Sequence, residues 1–282
     1  MSEQFKALIL NQKGEEFSRE VKSIDKSFLK HGDVTVKVDY SDLNFKDGMI
    51  LKNGGRLVKE FPHIPGIDFS GTVIESENSK FKKDDEVILT GFRVGEIFYG
   101  GYSQLAKVNA EFLIKKPKNL TSKQAMILGT AGFTSLMSAF AIKAREEILL
   151  GEKVNDVLVT GATGGVGSIA VIALNKMGYN VTAVTGKDSK VDYLKSLGAK
   201  TVVNRAEFDK DPRLIDKGLW DGVVDTVGGK ILANAIVQTN PNGIIAKLTD
   251  ASENGFNAVS ENGDEISYSY DQIKSAIVKV KF

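Results

Sequence analysis

The stretch VLVTGATGGVGSIAV, Val157 to Val171, decides the fold: an apolar run of strand formers enters a glycine-rich turn, Gly161 to Gly167, and passes straight into a helix-forming run. Laid on the dinucleotide-binding template, Ala162, Gly164 and Gly167 fill its three small-residue positions. The middle one lets the backbone approach a pyrophosphate, and the last lets helix and strand pack closely. The first turn of the helix then offers unpaired N–H groups and a partial positive charge to phosphate. A purely structural glycine-rich turn is the alternative. The strand, loop and helix context, repeated twice more downstream, weighs against it.

Working outward, NVTAVTG (180–186) reads as a strand, SKVDYLKSLGA (189–199) as a helix ended by Gly198, and TVVN, DGVVDTVGG and GIIAKL as further strands. Short apolar strands alternating with amphipathic helices specify a doubly wound parallel sheet, an α/β architecture. Upstream the pattern is different. FKALIL (5–10), VTVKVDYSDL from Val34, FSGTVIES from Phe69 and DEVILTG from Asp85 are short apolar runs between turn signals, which predicts a β-rich domain, a distorted barrel. AMILGTAGFTSLMSAFAIKAREEILL (125–150), long and rich in helix formers, separates the two. The expected division is residues 1–124 and 125–272.

Composition narrows the chemistry. The 282 residues carry 37 Lys+Arg against 36 Asp+Glu, so no broad basic face exists to neutralise nucleic acid. No apolar run is expected to reach the roughly 20 residues that cross a bilayer, and MSEQFKALIL lacks a secretory leader's pattern, so the cytoplasm is the expected location. Cysteine is absent, which removes disulfides, thiolate nucleophiles and sulfur-ligated zinc together. His31 and His63 are the only histidines, too few for a histidine-built catalytic zinc, and no metal is expected. A cofactor, or carboxylates, amines and hydroxyls, must carry any reaction.

The end of the second strand selects the cofactor. NAD sites place an acidic side chain there, about 20 residues after the glycines, for the ribose hydroxyls. This chain has Thr185-Gly186-Lys187, whose hydroxyl and cation suit a 2′-phosphate, so NADPH is expected over NADH. Arg205, just past the third strand, reaches toward the same face. Two alternatives stay open: a one-residue change of register would bring Asp188 to the ribose, and Lys187 would also be at home as a solvated lysine at a helix start.

Longer stretches resemble a known family. SDLNFKDGM (41–49), FPHIPGIDFSGTV (61–73), LTGFRVGE with YGGYSQ, GTAGFTSL (129–136), VTGATGGVGS, VTGK, YLKSLGA and VVDTVGG look like the zinc-free medium-chain reductases, within them the NADPH-dependent acrylyl-CoA reductase and quinone oxidoreductase group. The likeness covers about residues 1 to 248. It implies an N-terminal GroES-like catalytic domain and a Rossmann domain with the nicotinamide between them. It places Phe45, where the family usually has Tyr, beside the cofactor, Thr130 near the nicotinamide, and Thr163, Gly164, Gly165 and Val166 at the pyrophosphate. Thr185, Gly186 and Lys187 go to the 2′-phosphate with Arg205 alongside. Where zinc-dependent relatives carry a histidine and a glutamate, this chain has Ile67 and Asp68.

The reaction so implied adds a hydride to the β-carbon of an α,β-unsaturated thioester or ketone, and the developing enolate needs a hydrogen-bond donor and the α-carbon a proton. Asn44, Lys46 and Tyr102 are the polar candidates, with Asp47 to orient Lys46. Asn44 and Asp47 serve equally well as caps of a helix starting near Phe45, and the missing hydroxyl at Phe45 weighs against full activity. Arg56 and Lys59 are candidates for coenzyme A phosphates, or ordinary surface charges.

After GIIAKL the chain departs from the family. TDASENGFNAVSENGDEISYSYDQ is polar and turn-rich where a further helix and a sixth strand are expected, so about 40 residues of the pattern have no counterpart. The closing AIVKVKF does look like the family's ending, a strand (273–282) returning to the first domain. Three readings follow: a reductase of acryloyl-CoA, or of quinones and enones, with a trimmed sheet; an NADPH binder with a damaged pocket; or a chain that folds poorly. The sixth strand commonly pairs across the family's dimer, so a homodimer is left open.

Overall fold

β1 (Gln4–Lys13) and β2 (Glu16–Asp25) pair as an antiparallel hairpin. After them come β3 (Val34–Ser41), α1 (Phe45–Asn53), β4 (Asp68–Ser76), β5 (Glu86–Thr90), β6 (Leu105–Val108) and β7 (Ile114–Lys115). β3 to β7 form an antiparallel sheet in the order β6-β3-β4-β5-β7. Alternate residues Val34 and Val36 of β3, Phe69 and Val73 of β4, and Val87 and Leu89 of β5 point into one core, as the two-residue period of a strand dictates. The hairpin joins through bridges from Ala7 to Ser103 and from Leu10 to His63, and Phe5, Ala7 and Ile9 bury against Ile64 and Leu105. The structure, a computed structural model, describes residues 4–53, 57–148, 154–212, 217–247, 255–259 and 265–269. Arg56 and the closing run 273–282 lie outside the described residues.

α2 (Ser122–Ile148) is broken at Gly129, whose φ of 48° and ψ of −155° leave the helical region. A left-handed φ is cheap only for glycine. A Cβ at this point would also stand 1.9 Å from Asp42 Oδ2. The chain divides here into two compact units, Met1–Thr130 and Ala131–Phe282. Ala125 and Met126, before the break, pack on Ile88 in the first; Ala139 and Ile142, after it, lie in the core of the second. Contrary to expectation, the stretch Ser122–Arg145 has the length and apolar content of a membrane-crossing helix. The stretch is broken at Gly129, and it buries Ala125, Met126, Ala139 and Ile142 while leaving Ile127, Phe133, Met137 and Phe140 exposed.

The second unit alternates β8 (Asp156–Val159), α3 (Gly165–Lys176), β9 (Asn180–Thr185), α4 (Val191–Ser196), β10 (Thr201–Asn204), β11 (Trp220–Asp225), α5 (Gly229–Val237) and β12 (Thr239–Lys247). Five parallel strands run in the order β10-β9-β8-β11-β12. This is the Rossmann order, and the reversal between β8 and β11 puts the ligand crevice beyond their carboxyl ends. Val157, Val159, Val171, Leu174 and Val181 form the core between sheet and helix. Among the described residues no sixth parallel strand pairs with β12. β13 (Gly255–Val259) and β14 (Glu265–Ser269) form an antiparallel hairpin inside the stretch read above as merely polar and turn-rich. α5, GKILANAIV, also went unread in the sequence.

Candidate active site

At the nucleotide end, the glycine turn behaves as its spacing requires. A Cβ on Gly167 would stand 2.4 Å from the Gly161 carbonyl oxygen and 2.7 Å from Ala162 Cα, so only glycine allows α3 to start against β8. Gly164 and Gly165 are exposed, and Ser135 donates its hydroxyl to the Val166 carbonyl at 2.6 Å, pinning the first turn of α3. Thr163 Oγ1 lies 3.5 Å from Thr185 Oγ1, which accepts the Lys187 N–H at 3.1 Å. Thr185 and Asn204 pair across β9 and β10, which sets Arg205 over Gly186: a Cβ there would meet the guanidinium at 3.5 to 3.6 Å. Lys187 and Arg205 are exposed, and neither forms an ion pair among the described residues. Two unpaired cations thus flank one turn at the end of β9.

Sequence reasoning missed the lock beside this turn. The Thr160 hydroxyl donates to Asp225 Oδ1 (2.7 Å) and accepts the Thr226 N–H (3.0 Å), while Gly228 N–H donates to Asp225 Oδ2 (2.9 Å). Asp225 is 3% exposed. These bonds hold the turn after β11 against β8 at the switch point. The visible signal was a polar residue, Thr160 and Asp225, closing each of two buried apolar strands.

In the first unit, a polar cluster gathers around Asp68, the first residue of β4. Its carboxylate accepts the Thr130 N–H (2.6 Å), the Thr130 hydroxyl (2.7 Å) and Asn44 Nδ2–H (3.1 Å). Asn44 Nδ2 donates also to Asp42 Oδ1 at 2.7 Å. Asp47 is fully buried, and its two oxygens accept the Asn44 N–H (2.9 Å) and the Ile67 N–H (3.0 Å). The first of these is the reciprocal half of a capping box at the start of α1. Tyr102 donates its hydroxyl to the Asp42 carbonyl at 2.9 Å. Lys46 is oriented by Glu96 at 2.7 Å, not by Asp47 as expected, because backbone N–H groups already occupy both Asp47 oxygens. Glu96, 7% exposed, also lies 3.7 Å from Arg93 Nε. Phe45 is 87% exposed, and Lys59 is exposed at the surface.

Three acids in this small space oppose one another's ionisation. Asp42 is pushed up to about 8, first by burial, then by the Asp68 charge and a hydrogen bond with Asp68, and then by the Asp47 charge. Asp47 is raised by burial, against the pull of its two backbone N–H donors. The Tyr102 phenol is raised by burial and then by the charges of Asp47 and Asp42. Asp42 was not among the expected site residues; its own stretch, SDLNFKD, gives no hint that Asp68 would fold back against it.

Known proteins resemble this chain in sequence and fold. Residues 30–118 match the alcohol dehydrogenase GroES-like domain and residues 165–268 the zinc-binding dehydrogenase domain. The probable acrylyl-CoA reductase AcuI of Escherichia coli is 44% identical over 240 residues, 85% of this chain and 73% of the relative. The chain belongs to the medium-chain dehydrogenase/reductase family. The putative quinone oxidoreductase YhfP of Bacillus subtilis is 43% identical over 247 residues, covering 87% of this chain and 74% of that one. Among solved structures, the yhdH oxidoreductase of Salmonella enterica in complex with NADP is 44% identical with a TM-score of 0.80, over 86% of this chain and 74% of that chain. B. subtilis yhfP with NAD bound has the same TM-score at 43% identity, over 87% and 74%.

The domain description names zinc, and the residues here do not fit it. Ile67 cannot ligate, the Asp68 carboxylate is held by Thr130 and Asn44, and no group of three metal-ligating side chains occurs among the described residues. In this member of the family, hydrogen bonds to Asp68 hold the site together. The residues do fit a dinucleotide phosphate: exposed glycines at a helix N-terminus and two cations, unpaired among the described residues, at the next strand end are complementary to phosphate.

Proposed function

We propose that this medium-chain reductase uses NADPH to reduce the activated C=C bond of a short α,β-unsaturated acyl thioester, acryloyl-CoA to propanoyl-CoA. The observation that carries the cofactor half is the pair Lys187 and Arg205 flanking Gly186, unpaired among the described residues. The likeness to an acrylyl-CoA reductase over most of both chains supports the substrate half. When bound, NADPH supplies the hydride for the β-carbon. Thr163 to Val166 hold the pyrophosphate, and Lys187, Arg205 and the Thr185 turn hold the 2′-phosphate.

Negative charge gathers on the thioester carbonyl oxygen as the hydride arrives, so an N–H or O–H donor must face it. Asn44, Asp47 and Tyr102 direct their hydrogen bonds at the protein itself. Lys46 gives one N–H to Glu96 and, with its side chain 48% exposed, has others to offer. It takes the role of the oxyanion donor, with Glu96 as its positioning residue, while Asn44, Asp47 and Tyr102 frame the site. Thr130 is fixed to Asp68 through both N–H and hydroxyl, and Phe45 at the start of α1 is exposed.

The likeness to YhfP favours a second reading, reduction of a quinone or enone by the same hydride geometry. NADPH oxidation, followed by its absorbance with acryloyl-CoA and with a simple quinone, separates the two. A kcat/KM at least ten-fold higher for the thioester is expected. Turnover with the quinone alone selects the second reading. No turnover with either, despite an NADPH-induced rise in Tm, leaves a nucleotide-binding protein without this reaction.

A further inference from the structure

An acidic residue directly follows one of the two cations. Asp188 follows Lys187 directly, and an anion free to swing toward a 2′-phosphate would repel it. The structure holds this carboxylate elsewhere: Asn204 Nδ2–H donates to Asp188 Oδ1 at 2.7 Å. The amide is itself fixed at its other end, because Asn204 Oδ1 accepts the Ala206 N–H at 2.9 Å, as the cap of a short 3-10 turn. That N–H requires the oxygen to face it, so only the NH2 end is left to meet Asp188. The register pair of Thr185 with Asn204 brings the two turns side by side, with Arg205 over Gly186 on one side of Asn204 and Asp188 bonded to its side chain.

We infer that Asn204 is a specificity-determining positioning residue: by tethering Asp188 it keeps a negative charge away from the 2′-phosphate and turns a strand end that carries an acid into one that prefers NADPH over NADH. This rests on the reading of Lys187 and Arg205 as the 2′-phosphate site. No aspartate could replace Asn204, since two carboxylates would then face each other. Released, Asp188 would approach the phosphate or accept a ribose hydroxyl, which disfavours NADPH and favours NADH.

The test measures equilibrium affinities of the full chain for NADPH and NADH by isothermal titration calorimetry, in low and in near-physiological salt. A unit anion moved to within about 6 Å of a phosphate in water-like surroundings lowers its affinity roughly three- to ten-fold. Asn204→Ala is therefore expected to lower the NADPH-to-NADH affinity ratio by about that factor, and less so at high salt. Asn204→Ser retains a hydroxyl to cap the Ala206 N–H but is too short to reach Asp188, so it is expected to show the same loss with the fold intact. In an Asp188→Ala background the Asn204 substitutions are expected to leave the ratio unchanged. An unchanged ratio in Asn204→Ser overturns the inference, as does an equal loss with and without Asp188. A natural chain with no preference for NADPH overturns it together with the 2′-phosphate assignment; a preference that is undiminished in Asn204→Ser overturns the tether alone.

Discussion

Replacing Asp42 by Asn tests the carboxyl cluster most directly. Asn reproduces the protonated acid, with an amide N–H toward Asp68 in place of the carboxyl O–H and a carbonyl oxygen to accept Asn44 Nδ2–H. The wild-type group has a folded pKa of about 8 against 3.8 for a free carboxyl. Between these values the folded state binds a proton that the unfolded state has released, so the stability it contributes is complete below about 4 and is lost as pH rises to about 8. Each pH unit in that window is worth up to about 1.4 kcal/mol, and the four-unit span about 5–6 kcal/mol for a fully buried group. Asp42 is half-buried, and solvent screening reduces this to about 2–3 kcal/mol. At about 2–4 °C per kcal/mol, the Tm of Asp42→Asn is expected to gain on wild type by roughly 5–10 °C as the pH goes from about 4 to 8. Calorimetric scans at each pH unit measure it. A Tm difference that stays constant across this range would refute the reasoning, since a group that does not exchange its proton there cannot produce a slope.

Lys187→Ala is expected to weaken NADPH binding at least ten-fold while changing NADH binding little; equal losses in titration calorimetry would show that the lysine does not face the 2′-phosphate. Gly167→Ala places a methyl 2.4 Å from a carbonyl oxygen and is expected to destabilise the second unit by about 1–3 kcal/mol and to abolish the NADPH-induced rise in Tm, read by differential scanning fluorimetry. Lys46→Met is expected to lower kcat with acryloyl-CoA by about 100-fold with little change in the NADPH Kd, whereas an unaltered kcat would remove Lys46 from the oxyanion role. His63, 1% exposed and with Nε2 lacking a partner among the described residues, has its pKa lowered by burial. The unfolded state takes up its proton first, so stability is expected to fall as pH drops below about 6.5. In His63→Gln that acid limb should flatten; a limb of the same steepness in both proteins would place its origin elsewhere.

The nucleotide end was legible because its determinants are local. Gly161 to Gly167 sits between a strand and a helix that its own neighbours specify, and the Thr185-Gly186-Lys187 turn follows one strand later. Backbone geometry and a short stretch of side chains suffice there, so the template and the structure agree on the strand, turn and helix and on the strand order around them. Even so, the acid at 188 left the cofactor open to doubt. The hydrogen-bond partner of that acid is Asn204, sixteen positions on, which only the β9–β10 register brings to it.

The first unit hides its chemistry for the same reason on a larger scale. Asn44 and Asp47 carried both a capping and a catalytic reading in the sequence, and what separates them is the set of partners each finds: Ile67 for Asp47, Asp68 for Asn44, Thr130 for Asp68 across 62 positions. None of these pairings has a periodicity to betray it. Lys46 is singled out only once Glu96, fifty residues away, is seen to hold it. The cluster is held by hydrogen bonds among its own side chains and the backbone. Asp68 draws the loop before α1 and the residue after the Gly129 break onto a single carboxylate, and the nearby Asp42 escapes repulsion by keeping its proton. The acids of the cluster are fixed by backbone N–H groups and by one another, while Lys46, held by Glu96, is the side chain proposed above to meet the developing oxyanion.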